Sequence, residues 1–170
     1  HMSVGKSTHR VDAYEKVTGR AMYTADLAGA HMLVAKVVRS TIANGRVLKF
    51  DLTEAEKVKG VTKILTCFDA PRIDFPTAGH PWSTDPSHQD VADRRLLNER
   101  VRIYGDDIAV VIADDEIACA RAARLIKVEY EESPALVTPE QAEAPGATQL
   151  HERFPGNVLK KTSFKVTRVG

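Results

Sequence analysis

The fold is decided by residues 104–130, YGDDIAVVIADDEIACARAARLIKVEY. Ile108-Ala109-Val110-Val111-Ile112-Ala113 is a continuous apolar run of strand length, the pattern of a strand buried on both faces. Asp114 can cap the helix that follows, predicted from Asp115 to about Arg124, with acids in its first turn and Arg121 and Arg124 in its last. The alanines at 118, 120, 122 and 123 let that helix lie close on a sheet. Ile126 to Tyr130 then alternates as a second strand. A strand, a helix and a strand of these lengths predict a right-handed crossover within one sheet. Upstream, Val101 to Tyr104 reads as a short strand and Gly105-Asp106 as a turn.

Working outward toward the N-terminus, residues 31–39 read as a strand rich in β-branched residues, and 46–52 alternates with period two. Asn44-Gly45 is a turn signal between them. Thr53 and Glu56 form a capping box for a short helix over 54–59, stopped by Gly60, before a further strand over 61–67. Residues 68–98 change character. Pro71, Pro76, Pro81 and Pro86 break regular structure, while Phe75 and Trp82 are apolar anchors. Loops of this length inside a compact domain are usually functional. Beyond Ser133-Pro134 lie a weak helix over 139–144 and a Gly/Pro-punctuated tail that reads as extended and outside the core.

Composition narrows the function classes. The 170 residues are 43% hydrophobic, enough for a globular core. Lysine and arginine total 24 against 23 acids, so no basic footprint for nucleic acid exists, and 6% aromatics make a poor base-stacking platform. No apolar run reaches the roughly 18 residues of a membrane span. Cys67 and Cys119 match no metal or redox spacing, which fits a reduced, cytoplasmic chain. His1-Met2 reads as a cloning scar at the head of a polar arm spanning 1–19.

Candidate chemistry is sparse. Gly5-Lys6-Ser7-Thr8 looks like the end of a phosphate loop, but only four residues precede it, leaving no room for the first glycine or the strand. His80 and His88 share the proline-rich loop with Asp85, Asp90 and Asp93, at no standard ligand spacing. His9, His31 and His151 are scattered. Cys119 reads as a buried filler and Cys67 as an inert strand-end thiol. Ser40 and Ser83 have no evident base, and no G-x-S-x-G is present. Gly105-Asp106-Asp107 reads as a turn before it reads as a pair of catalytic acids. Glu129, Glu131 and Glu132 read as the wet face of a strand. The residues therefore predict an α+β domain with no catalytic, cofactor-binding or metal-binding residues of its own.

Several stretches together carry a resemblance. Residues 104–113, then Ala120, Ala122-Ala123 and 128–131, resemble the N-terminal α/β-hammerhead domain of the xanthine dehydrogenase and aldehyde oxidase family. Arg10, Asp12, Lys16-Val17-Thr18-Gly19, Ala21, Tyr23 and Asp26 resemble its opening segment. Arg39-Ser40, Ile42-Ala43 and Gly45 are similar to its next stretch, and Asp51, Ala55, Gly60-Val61, Asp69 and Pro71 follow at the family's intervals. Phe75-Pro76-Thr77-Ala78-Gly79-His80-Pro81-Trp82 resembles the molybdenum-binding subunits of bacterial xanthine dehydrogenases. Asn44, Thr41 and Asp107 depart from the family, which often has His, Pro and Pro there.

The resemblance spans about residues 8–159 and implies an α/β-hammerhead with a mixed sheet, β-α-β units and few short helices. The boundaries it implies are an arm over 1–19, the hammerhead over 20–145, and a tail over 146–170 leading toward a molybdopterin-binding domain. By resemblance, the parent enzyme hydroxylates purines with molybdopterin, while [2Fe-2S] clusters and FAD on other subunits or domains carry the electrons. The cofactor loops and the catalytic Glu are then expected downstream of Gly170, leaving this part a structural, non-catalytic domain. Its partners would be the remaining molybdopterin-binding domains, an iron–sulfur subunit and an FAD subunit, with no nucleic acid and no membrane. The same domain of an aldehyde- or N-heterocycle-hydroxylating relative is the alternative, and a free-standing interaction module a further one.

Overall fold

A computed structural model describes residues 4–76, 91–159, 161 and 163–166. The chain divides into two units, His1–Met32 and Leu33–Gly170.

The first unit contains a short α-helix, α1 (Ala13–Val17), where only a polar arm is expected from sequence. Asp12 organises it. Its carboxylate accepts from Arg10 Nε at 3.1 Å and Nη2 at 3.0 Å, and pairs with Lys16. Those cations, Lys16 foremost, hold its pKa below the usual carboxylate value. Thr18 Oγ1 closes the helix on the Tyr14 carbonyl at 2.7 Å, and Gly19 follows in the left-handed region at φ 69°. Asp26 then accepts from the Tyr23 N–H at 2.8 Å. The residues that carry the resemblance here thus bind their own neighbours. No residue of α1 is buried, and Lys6 is exposed.

The second unit is built on two three-stranded antiparallel sheets. The first has the order β1 (Val34–Arg39), β5 (Asp107–Ala113), β3 (Val61–Thr66). The second has the order β4 (Arg100–Val101), β2 (Gly45–Asp51), β6 (Lys127–Glu132). The strand–helix–strand unit forms, but β5 and β6 lie in different sheets. The expected crossover within one mixed sheet is therefore corrected to a connection between two antiparallel sheets. The reason is visible in β6. Val128 and Tyr130 pack inward while Glu129, Glu131 and Glu132 stay wet, which suits an edge strand with one solvated face.

The apolar run of β5 takes the central place of its sheet. Its even positions, led by Ile108, meet Val47, Val101 and Cys67 in a core between the sheets. Its odd positions, Val111 and Ala113, meet α2 (Glu116–Leu125) through Ala118, Cys119 and Ala122. Small side chains at those three helical positions are what permit the close approach.

Three local expectations change. Residues 53–57 form turns, not a helix, and Asp51 Oδ1 captures the Thr53 N–H at 3.1 Å. The cap of α2 is Asp115, accepting from the Ala118 N–H at 2.7 Å, while the Asp114 N–H donates to the Gly60 carbonyl at 2.9 Å. Asn44-Gly45 is no hairpin tip. Asn44 is buried, its amide Nδ2 donates to the Pro134 carbonyl at 2.8 Å, and Gly45 already belongs to β2. The helix expected near 139–144 is present as α3 (Pro139–Glu143), capped by Thr138. Beyond it, residues 148–157 are gathered around Asn157, where an extended run is expected. Asn157 accepts from the Leu150 N–H at 2.7 Å and donates to the carbonyls of Thr148 and Ala142.

Candidate functional site

Ser40, Gly105 and Asp106, three of the residues that carry the resemblance, meet at one junction. Ser40 directly follows β1 and its N–H donates to the Asp106 carbonyl at 2.8 Å. Gly105, at φ 89°, donates its N–H to Ser40 Oγ at 3.1 Å. The Asp106 carboxylate is sealed in. It accepts from the Arg102 N–H at 2.8 Å and the Ile103 N–H at 3.2 Å, and pairs with Arg94. Capture of those amides stops β4 after Val101, where a strand to Tyr104 is expected. Asp106 therefore works as an internal clamp, and Asp107 lies on the surface beside Arg39 at 3.3 Å. The two acids of the turn do not form a pair.

The same clamp anchors the described ends of the long loop. Arg94 and Phe75 exchange backbone hydrogen bonds of 2.8 and 3.2 Å, Arg95 Nε donates to Asp74 at 2.7 Å, and Arg72 faces Glu99 at 3.5 Å. Phe75 remains partly exposed. His80, Trp82, Ser83, Asp85, His88 and Asp90 lie outside the described residues.

Asp93 is brought to a different histidine from those its loop suggests. His151 Nε2 lies 3.5 Å from it, in a cleft of about 300 Å³ that Arg46, Arg100 and Arg102 also line. Burial, then the nearby Arg102, pushes the His151 imidazole below its ordinary pKa. Sequence reasoning misses this cluster. Arg46 and Arg100 meet only through the pairing of β2 with β4, and His151 arrives from a tail expected outside the core.

The remaining candidates are separate. Cys67 and Cys119 are buried and unpaired. Burial, then the Glu99 charge, pushes the Cys67 thiol up to about 11, so it carries no thiolate at neutral pH. Cys119 Sγ donates to the Val34 carbonyl at 3.2 Å, as a core filler. His9 and His31 are exposed, and so are Glu129, Glu131 and Glu132 of β6. Among the described residues, no group of three or more His, Cys, Asp or Glu side chains could hold a metal ion, and no helix is long and apolar enough to cross a membrane. The arrangement offers internal braces and a polar cleft.

Residues 18–134 match the family model described as aldehyde oxidase and xanthine dehydrogenase, a/b hammerhead domain. A xanthine dehydrogenase molybdenum-binding subunit of Escherichia coli O157:H7 is 45% identical over 94% of this chain and 21% of its own length. The nicotinate dehydrogenase large molybdopterin subunit of Eubacterium barkeri is 33% identical over 87% of this chain and 32% of its own. The crystal structure of quinoline 2-oxidoreductase from Pseudomonas putida 86 superposes with a TM-score of 0.76 at 29% identity, over 94% of this chain and 20% of that one. The chain thus spans about a fifth of the xanthine dehydrogenase subunit it matches. With the hammerhead model covering most of its length, the chain belongs to the aldehyde oxidase and xanthine dehydrogenase family.

Proposed function

We propose that this chain is a structural, non-catalytic domain of a molybdenum hydroxylase large subunit whose whole enzyme hydroxylates purines such as xanthine or hypoxanthine. The observation that carries the reading is the 45% identity to a xanthine dehydrogenase molybdenum-binding subunit, against 33% to a nicotinate dehydrogenase one. The chemistry of the described residues supports it. Ser40, Gly45, Gly105 and Asp106 are spent on internal bonds and close packing, and a thiol held near 11 is no nucleophile. Molybdopterin would bind on the rest of the subunit, with iron–sulfur and FAD partners alongside in the cytoplasm. This domain would brace those parts, with the arm of residues 1–19 running along its neighbours.

The test uses two preparations. Purified alone, the 170-residue chain should be folded, colourless and inactive, and elemental analysis should find no stoichiometric molybdenum. The full subunit complex should oxidise xanthine or hypoxanthine in preference to aldehydes, nicotinate-type heterocycles and carbon monoxide. Molybdenum at one equivalent in the chain alone would overturn the non-catalytic role. A preference for aldehydes or another heterocycle would overturn the purine assignment.

A further inference from the structure

The outer face of the β4-β2-β6 sheet concentrates positive charge. Arg46 on β2 sits directly across from Arg100 on β4. Like charges in that register repel each other and destabilise a sheet. Arg102 is two residues further along, and all three arginines line a smaller cleft beside the one that holds His151. Two of these guanidiniums are held by neutral groups. Arg100 Nη1 donates to the Gly45 carbonyl at 2.6 Å, and Arg102 donates to the carbonyls of Leu150 at 2.8 Å and Asp93 at 3.1 Å. Among the described residues, no carboxylate comes within 4.0 Å of any of the three, although Arg94 and Arg95 nearby each have one. Glu131, the cross-strand partner of Arg46 on β6, and Glu152 stand on the wall of the cleft, and both are exposed. Three guanidiniums against two carboxylates leave it net positive. Carbonyl contacts aim Arg100 and Arg102 without neutralising them, which is how a protein prepares donors for an anion.

We propose that the cleft of about 250 Å³ between Arg46, Arg100, Arg102 and the 149–152 segment binds a small phosphate-type oxyanion, free or as the end of a phosphate ester. Guanidinium forks match the tetrahedral oxygens of such a group, and the recess suits a small ligand better than a protein face. His151, adjacent to Arg102, serves as a built-in reporter. A bound dianion would offset the repulsion from Arg102 and raise the imidazole titration midpoint.

The experiment titrates the 170-residue chain with inorganic phosphate and, in a second arm, with a nucleoside monophosphate. The readouts are the His151 ring resonances by NMR and calorimetry, with chloride matched for ionic strength as the control. Saturable binding that raises the His151 midpoint is expected, about tenfold weaker in Arg46→Gln, which removes one charge-assisted contact. Arg46 is exposed and Arg46→Gln should leave the circular dichroism spectrum unchanged. Tighter binding of the monophosphate would assign the site to an ester, and equal binding to the free ion. Shifts that merely follow ionic strength, or equal affinity in Arg46→Gln, would overturn the proposal. Saturable binding of an oligoglutamate peptide without binding of phosphate would also overturn it, making the face a protein-docking surface.

Discussion

Three residues concentrate the consequences of this fold. A Cβ on Gly45 would stand 2.3 Å from the Glu131 carbonyl oxygen and 2.7 Å from the Ile42 side chain, so Gly45→Ala must push β2 away from β6. The expected loss is roughly 3 kcal/mol or more by urea denaturation, the range of overpacking combined with a strained backbone. Asp106 gives a contrast between partners. Asp106→Ala strands two backbone N–H groups and the Arg94 guanidinium, for about 3 kcal/mol. Arg94→Ala should cost less, because Asp106 keeps both backbone donors and the Arg94 side chain is 30% exposed. Equal losses would show that the ion pair, and not the amide capture, carries the clamp. Cys67 predicts a pH dependence. Its thiol titrates near 11 in the folded chain and nearer 9 unfolded, so the native state binds more protons between those values. Stability from this group is intact below pH 9 and falls as pH rises toward 11. Chemical denaturation across that range should show the decline, and Cys67→Ala should flatten it.

At the scale of elements, helix α2 and its cap show where sequence reading succeeds and where it slips. The helix is legible because its signal is local: acids in the first turn, arginines in the last, and small residues on the buried side. Which of two adjacent aspartates caps it is decided by tertiary structure. The Asp114 backbone is tied to Gly60, and that leaves Asp115 as the first residue free to turn its carboxylate back on the helix. Asp115→Ala should therefore cost about 1 kcal/mol in thermal or urea denaturation, and Asp114→Ala markedly less. The reverse order would restore the cap to Asp114. The strands were legible for the same local reason, since alternation or a β-branched run marks each of β1, β2, β3, β5 and β6. Their partners were not. An apolar run predicts that β5 is central, but nothing in residues 126–132 says that β6 pairs with β2 instead of with β5's sheet. The Arg46–Arg100 juxtaposition was hidden for the same reason, because it exists only once β2 and β4 are in register.

For the whole molecule, apolar surface is distributed unevenly between the two units. Leu33–Gly170 holds both buried clusters, whereas His1–Met32 shows Val11, Tyr14, Val17, Met22, Tyr23 and Leu27 each more than half exposed. An apolar side chain kept in water forgoes roughly 1.5–3 kcal/mol of burial, so six in one short segment amount to a surface suited to being covered. Arg10, Asp12, Lys16 and Thr18 meanwhile fix the local shape of that segment without burying it. A segment with local polar order and no core of its own is what a brace against the rest of a larger subunit requires. Amide hydrogen exchange tests this reading. In the 170-residue chain, β5 and α2 should exchange slowly, through global opening, while residues 11–27 exchange close to the rate of an unstructured peptide. In the assembled hydroxylase the same 11–27 amides should slow by at least about a hundredfold, equivalent to ~3 kcal/mol of added local stability. Unchanged exchange of residues 11–27 between the chain alone and the complex would show that the arm has no covering partner there, and the bracing role would have to rest on the sheets alone.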